Sequence, residues 1–309
     1  MRIEIKIAAV ILFLIGCVSC GQAMPLALTM TPGQSDAYRI NIDMTDEARA
    51  RGAYQVKYES HQIFDLNQDI LTSPDPNEYR LRLVIKRIRM QTDLLNEKTI
   101  RFDSDEQMAT ATEFHRPLYA MLDRPLVLTV GKDGKVKKVE GMEEIIAAVK
   151  TQLPAGKINP QVLVEFRRHY GEAFVINIFE GFLTAFPLQV KAQMTKWERP
   201  RSIFNPFFGE LQFNQEYQLT NPGEDPAKIQ FKGIIRPENQ SPEATEKLPQ
   251  SGMFLKLVQG KVTGSINYSL TKGRLEEYLQ EVVYQVGLDQ QGGNAPSQRF
   301  SVKTIIQRQ

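Results

Sequence analysis

Apolar and polar residues alternate along most of this chain, with one long interruption near the middle. Tyr38, Ile40, Ile42 and Met44 are each separated by a polar residue, the period of a half-buried strand whose side chains point to opposite faces in turn. Tyr54, Val56 and Tyr58 repeat the pattern, and Tyr79, Leu81, Leu83 and Ile85 do so again before the apolar parity shifts to Ile88 and Met90. A one-residue slip swaps faces, so a bulge near Lys86-Arg87 is predicted to keep both sets on the core side. A further short strand is predicted at 99 to 103. Val127 to Val130 and Val136 to Val139 flank Gly131-Lys132-Asp133-Gly134, and Asp-Gly tolerates the positive φ of a tight hairpin turn.

The interruption is helical. Glu143 to Lys150 predicts a short helix, closed by Leu153-Pro154-Ala155-Gly156. From 160 to 186, Leu163, Phe166, Tyr170, Phe174, Ile178 and Phe182 follow at helical spacing. Gly171 and Gly181 are expected to break this region into shorter pieces. Strand signals return at Glu216 to Leu219, Lys228 to Ile235, Phe254 to Val258, Val262 to Ser269, Arg274 to Val286 and Arg299 to Ile306. Loops at 237 to 250 and 289 to 298 carry Pro, Gly, Asn and Gln and are expected to be mobile. The predicted class is mainly β (α+β): a curved antiparallel sheet or half-barrel with a helical insert at about 142–186, in a single domain spanning 37–309.

The N-terminus changes where this domain is expected to work. Arg2 and Lys6 precede an apolar run from Ile7 to Ile15, and Leu14-Ile15-Gly16-Cys17 reads as a lipobox. A basic start, a short apolar core and small residues at the cut describe an export signal over 1–16. The run is shorter than the roughly 20 apolar residues a membrane-spanning helix needs. Cys17 is the expected site of acylation. Cys20 is the alternative, and a cut after Ala23 would leave a soluble secreted protein. Residues 17–36 are expected to form a flexible tether. The expected location is the cell envelope, facing the periplasm and held by acyl chains, with the outer membrane favoured over the inner.

Composition then removes several classes. Both cysteines lie in the leader region, so the body is expected to hold together without a disulfide. Loss of Arg2, Glu4 and Lys6 with the leader takes the formal charge from +2 to +1, which gives no basic face for nucleic acid. His61, His115 and His169 stand far apart and share no ligand spacing, so no metal or cofactor is expected. No G-x-S-x-G elbow occurs. The acidic run Asp103-Ser104-Asp105-Glu106 lacks the spacing and glycine of a calcium loop and reads as a strand end. Arg80, Arg82, Lys86, Arg87 and Arg89, with Lys135, Lys137 and Lys138, read as the solvated face of a sheet. Contact with anionic headgroups is their functional alternative.

Short landmarks carry a family resemblance over nearly the whole body: Ile100-Arg101-Phe102-Asp103-Ser104, Pro125 to Val130 with Gly134 to Gly141, Val262 to Tyr268, and Lys272-Gly273-Arg274-Leu275. In these the chain resembles an uncharacterised bacterial lipoprotein family, domain of unknown function 6263. It departs from that pattern between Pro187 and Trp197, which lacks the usual glycine and aspartate before the tryptophan. The resemblance implies fold and location and brings no activity with it.

What remains is an excess of aromatic residues. Phe166, Tyr170, Phe174, Phe179, Phe182 and Phe186 lie along the helical insert, and Ile203, Phe204, Phe207, Phe208 and Phe213 follow in what reads as a loop. A helix apolar over more than one face is buried on both or covers a cavity. The six helical aromatics are therefore the candidates for a hydrophobic groove, with core packing as the alternative. The expected function is a non-enzymatic envelope lipoprotein that binds a lipid, another apolar ligand or an envelope protein. The competing expectation is a structural or assembly lipoprotein with a filled core.

Overall fold

The computed structural model describes residues 26–50, 53–94, 99–106, 112, 115–152, 160–189, 194–205, 208–236, 245–247, 254–289 and 298–309. In chain order the first half holds β1 (Ser35–Ala50), β2 (Ala53–Leu71), β3 (Glu78–Leu94), β4 (Ile100–Asp103), β5 (Pro125–Gly131) and β6 (Val136–Glu140). Three helices follow: α1 (Met142–Gln152), α2 (Pro160–Tyr170) and α3 (Glu172–Leu183). The second half holds β7 (Lys196–Asn205), β8 (Gly209–Leu219), β9 (Ala227–Ile235), β10 (Thr245–Lys247), β11 (Phe254–Ser269), β12 (Arg274–Asp289) and β13 (Gln298–Arg308). A 3₁₀ turn at Arg116–Met121 precedes β5.

The strands form one 13-stranded open sheet in the order β6-β5-β3-β2-β1-β13-β12-β11-β9-β8-β7, with β4 beside β3 and β10 beside β11. Every named pairing is antiparallel. The chain therefore builds two wings and joins them through its first and last strands, with β1 running against β13 from Tyr38↔Arg308 to Ala48↔Gln298. The helical insert connects β6 to β7, which are the two ends of the sheet. It must cross one face to do so. That face carries the core: Ile40, Ile42, Phe64, Leu66, Leu81, Leu128, Ile229, Val262, Tyr278 and Val282 are all buried there among the helices.

The end of α3 touches both edges of the sheet. The Val136 amide donates to Glu180 Oε1 at 2.8 Å. From the other edge, Trp197 Nε1 donates to the Ala185 carbonyl at 2.8 Å, and Arg199 donates to the carbonyls of Phe186 at 2.6 Å and Asp133 at 2.9 Å. Arg201 donates to the Glu180 carbonyl and the Thr184 hydroxyl. A helix ends with carbonyls that lack intrahelical partners and carry partial negative charge, so buried guanidinium groups are well placed there.

Several local expectations are met. Asp65 faces Arg87 and Leu66 faces Ile85, which leaves Lys86 as the extra residue of a bulge. Gly134 turns the β5–β6 hairpin at φ +82°. Gly171 separates α2 from α3. Gly181 does not break α3. It stays helical, and a side chain there would meet the Tyr278 hydroxyl at 2.4 Å.

Two expectations are corrected. The stretch read as a loop after the insert is a hairpin, with Ile203 and Phe204 on β7 and Phe213 on β8. Its inward positions include Arg199, Arg201, Asn205 and Gln215, so polar residues hid the alternation, and Pro200 sits on the outermost strand, where a missing N–H is tolerated. The flexible tether also ends earlier than expected. Leu26 and Leu28 are buried, and their neighbours cap one end of the sheet. Tyr79 Oη donates to the Leu28 carbonyl at 2.8 Å, and Tyr268 Oη donates to the carbonyl of Thr29. Leu26 and Leu28 bring apolar side chains to a core edge that would otherwise be wet.

The leader, Cys17 and Cys20 lie outside the described residues. So do Phe207 and nearly all of the two loops expected to be mobile, of which β10 is the described part at 245–247. Among the described residues no helix is long and apolar enough to cross a membrane, which says nothing of a β-barrel.

Candidate functional site

The six helical aromatics divide at Phe174. Phe166 and Tyr170 on α2 form one wall of a cavity of about 560 Å³, whose other walls come from the sheet and the 3₁₀ turn. Met44 on β1, Met90 on β3, Tyr284 on β12 and Val302 on β13 face it across the space, and Leu118 closes a side. A narrower lobe of about 160 Å³ continues from it between α3 and the central strands, lined by Phe174, Ile178, Ile42 and Val282. Gln62, His169 and Tyr170 line both lobes. The remaining three candidates serve packing. Phe179 and Phe182 lie 5.8 Å apart, Phe182 lies 6.0 Å from Tyr278, and Phe186 meets Tyr268 edge-on at 4.8 Å.

The lining explains why this space is not filled. Tyr170 is held by rings on three sides, with Phe64 at 6.5 Å, Phe166 at 5.8 Å and Phe174 at 5.7 Å. Its hydroxyl lies 3.8 Å from Met90 Sδ. Such tilted aromatic contacts fix ring positions, so the wall keeps its shape and side chains from α2 do not collapse onto the sheet. Burial raises the Tyr170 hydroxyl above its ordinary range, and pushes that of Tyr284 up to about 12 against a hydrogen bond with Asn205. Both remain neutral at physiological pH.

Polar side chains share the wall with apolar ones, two histidines among them. The His115 ring lies tilted against Phe102 at 5.1 Å, and among the described residues its Nδ1 is buried with no hydrogen-bond partner. Burial lowers its pKa. His169 lies at the rim, 3.4 Å from Glu165 one turn earlier on α2. Burial lowers its pKa too, with Glu165 opposing. Met44 and Phe166 were visible in the sequence as members of apolar stripes. Met90 was visible in the same way, while the positions that sequence reasoning missed are Gln62, His115, Tyr284 and Val302, which come from strands and a turn distant in the chain.

Most of the charged stretches are paired. Arg82 contacts Asp69 at 2.7 Å, Arg89 contacts Asp65 at 3.3 Å, and Lys86 contacts Asp123 at 2.7 Å. Lys137 meets Glu78 at 2.8 Å, while Lys138 and Arg80 share Glu140 at 2.8 and 3.7 Å. Arg87 holds both Asp103 and Asp105, at 2.6 and 3.1 Å, and Ser104 Oγ accepts from the Ile88 amide at 3.0 Å. The acidic run is thus a strand end bound to its neighbour. Among the described residues no group of three His, Cys, Asp or Glu is arranged to hold a metal.

A family model described as a family of unknown function (DUF6263) matches residues 76–274. No curated protein matches the chain. A solved structure of lipovitellin, described for its lipid–protein interactions, superposes with a TM-score of 0.52 at 9% identity, over 91% of this chain and 25% of that one. The chain thus spans about a quarter of lipovitellin, and the likeness is one of fold. Two further structures cover most of the chain at lower similarity. DynF from the dynemicin biosynthesis pathway of Micromonospora chersina gives a TM-score of 0.26 at 8% identity, over 94% of this chain and 86% of that one. The translocator domain of the autotransporter NalP from Neisseria meningitidis gives 0.20 at 4%, over 91% of each chain. Neither carries an argument.

Proposed function

We propose that this chain, which belongs to the family of unknown function DUF6263, is a non-enzymatic lipoprotein of the bacterial cell envelope that binds a hydrophobic ligand between α2 and the sheet. The observation that carries this is the cavity of about 560 Å³, walled mainly by Met, Leu, Val and aromatic side chains. Ligand sites are typically about 300–1,000 Å³, mostly apolar, with a few polar groups to fix orientation. The lipovitellin likeness offers a fold precedent only, since fold alone does not carry function.

The proposed shape is a half-barrel. Tyr79 and Tyr268 stand on strands five spacings apart in the sheet order, roughly 24 Å in a flat sheet. Their hydroxyls nonetheless bind adjacent carbonyls, Leu28 and Thr29, which is the support for strong curvature around the helical insert. The anchor is proposed at Cys17, with Cys20 as the alternative. The Leu26–Thr29 segment packs at the end of the strands opposite Met44 and Tyr284, so an anchor before it would aim the cavity away from the bilayer.

Native mass spectrometry of the acylated protein from its own envelope tests the reading. A non-covalent species of lipid mass, absent from denaturing spectra and reduced by Val162→Trp, supports it. A second reading, a structural lipoprotein with a filled core, draws on the packing of Phe179, Phe182 and Phe186. A bare acylated chain, with no species lost between native and denaturing spectra, would favour that reading and sink the first.

A further inference from the structure

The lining also carries information about the head of the ligand. Resting on the ligand-binding reading, we propose that the cavity takes an uncharged lipid whose head bears a hydroxyl, and that it rejects lipids with an anionic head. No lysine or arginine lines the main lobe, whereas two carboxylates, Asp46 and Glu165, do. Arg168 lines only the narrow lobe and already has an interaction of its own. The remaining titratable groups on the main lobe are Tyr58, Tyr170, Tyr284, His115 and His169. Burial keeps the His115 imidazole neutral at physiological pH, so it supplies no positive charge.

An anion placed here would face acidic oxygens with no lysine or arginine on the main lobe to offset them. Burying an unpaired charge is far more costly than burying a neutral polar group that finds a hydrogen bond. A cationic head would meet Glu165, but His169 stands 3.4 Å from that carboxylate, and Asp46 is also engaged. The polar side chain common to both lobes that can meet the head without a charge is an amide. Gln62, buried as a residue, lines both lobes, and its carboxamide is uncharged with both a donor and an acceptor end. A hydroxyl both donates and accepts, so it pairs with either end of that carboxamide.

The test is displacement of Nile red, an uncharged dye, from the full-length protein at pH 7.5. The competitors are hexadecanol, hexadecyl phosphate and hexadecylamine, which share one chain and differ only in the head. Hexadecanol is expected to displace the dye at a concentration at least tenfold below the phosphate, and below the amine. Glu165→Gln is expected to narrow the gap to the phosphate. Gln62→Leu is expected to weaken hexadecanol several-fold more than it changes the binding of the dye itself. Equal or tighter binding of the phosphate overturns the proposal, as does a preference for the amine or a gap indifferent to both substitutions. Dye that binds but shows no head preference refutes this inference alone. Failure of every apolar probe to bind refutes the ligand-binding reading with it.

Discussion

Replacing Gly134 by alanine tests the contact that ties the β5–β6 hairpin to the end of α3. Two costs are separable. The residue sits at φ +82°, where an L side chain is strained by about 1–2 kcal/mol. Its Cβ would also lie 2.0 Å from the Leu183 carbonyl oxygen and 2.7 Å from the Thr184 nitrogen. Ordinary contact begins near 3.4 Å, so the hairpin and helix must separate by more than 1 Å, and overpacking of this kind costs about 1–3 kcal/mol. The expected loss is about 2–5 kcal/mol in all. Gly223→Ala is the control, because Gly223 has φ +85° and nothing within 4 Å of where its methyl group would sit. It should lose only the conformational part. Urea unfolding of both variants, compared at equal slope, gives the difference. Equal losses in the two variants would refute the close approach and with it the contact between this edge and α3.

Gln215→Leu should stabilise the protein, since the amide is fully buried with neither Nε2 nor Oε1 hydrogen-bonded among the described residues, and each unsatisfied group costs about 1–3 kcal/mol. A fall in melting temperature would show that Gln215 has a partner. Stability should decline in two steps as pH falls. The first begins below about 6.5, because His115 has its pKa lowered by burial and the unfolded chain takes the proton first. His115→Phe should shrink the loss of melting temperature between pH 7.5 and 5.5. The second step comes below about pH 4. Hydrogen bonds from Ser35 and Arg82 hold Asp69 below its ordinary range, and one from Arg87 does so for Asp103. Their contribution is present above the unfolded pKa and lost as pH falls through the lowered one. Asp103→Asn should reduce this acid step, which a melting curve recorded from pH 5 to 2 would reveal.

Strand positions were legible wherever one face of the sheet is uniformly apolar. β1, β3 and the β5–β6 hairpin satisfy that condition, and even the Lys86 bulge could be read from the change of parity. β7 and most of β8 do not, because buried arginines and Gln215 occupy inward positions, and the arginines find their partners at the end of α3 and in the turn after it, far from their own strand. The cavity was half legible. Periodicity marks Phe166 and Tyr170 as lying on a helix with too much apolar surface, but it cannot distinguish a wall from a core residue. That difference depends on what stands opposite, here Met90, His115 and Tyr284. Their meeting is a matter of strand order, which alternation leaves open.

The pairing of β1 with β13 also governs the order in which this molecule can be assembled. The strand that completes the middle of the sheet follows in the chain every strand it joins. Until Gln298–Arg308 arrives, β1 and β12 each present a sixteen-residue strand with one unpaired edge. Such edges recruit other chains, and pairing across so long a sequence separation is slow. The half-made chain therefore depends on being kept apart from its neighbours for the whole of its synthesis. Loss of the eleven residues of β13 alone would leave two incomplete sheets in place of one.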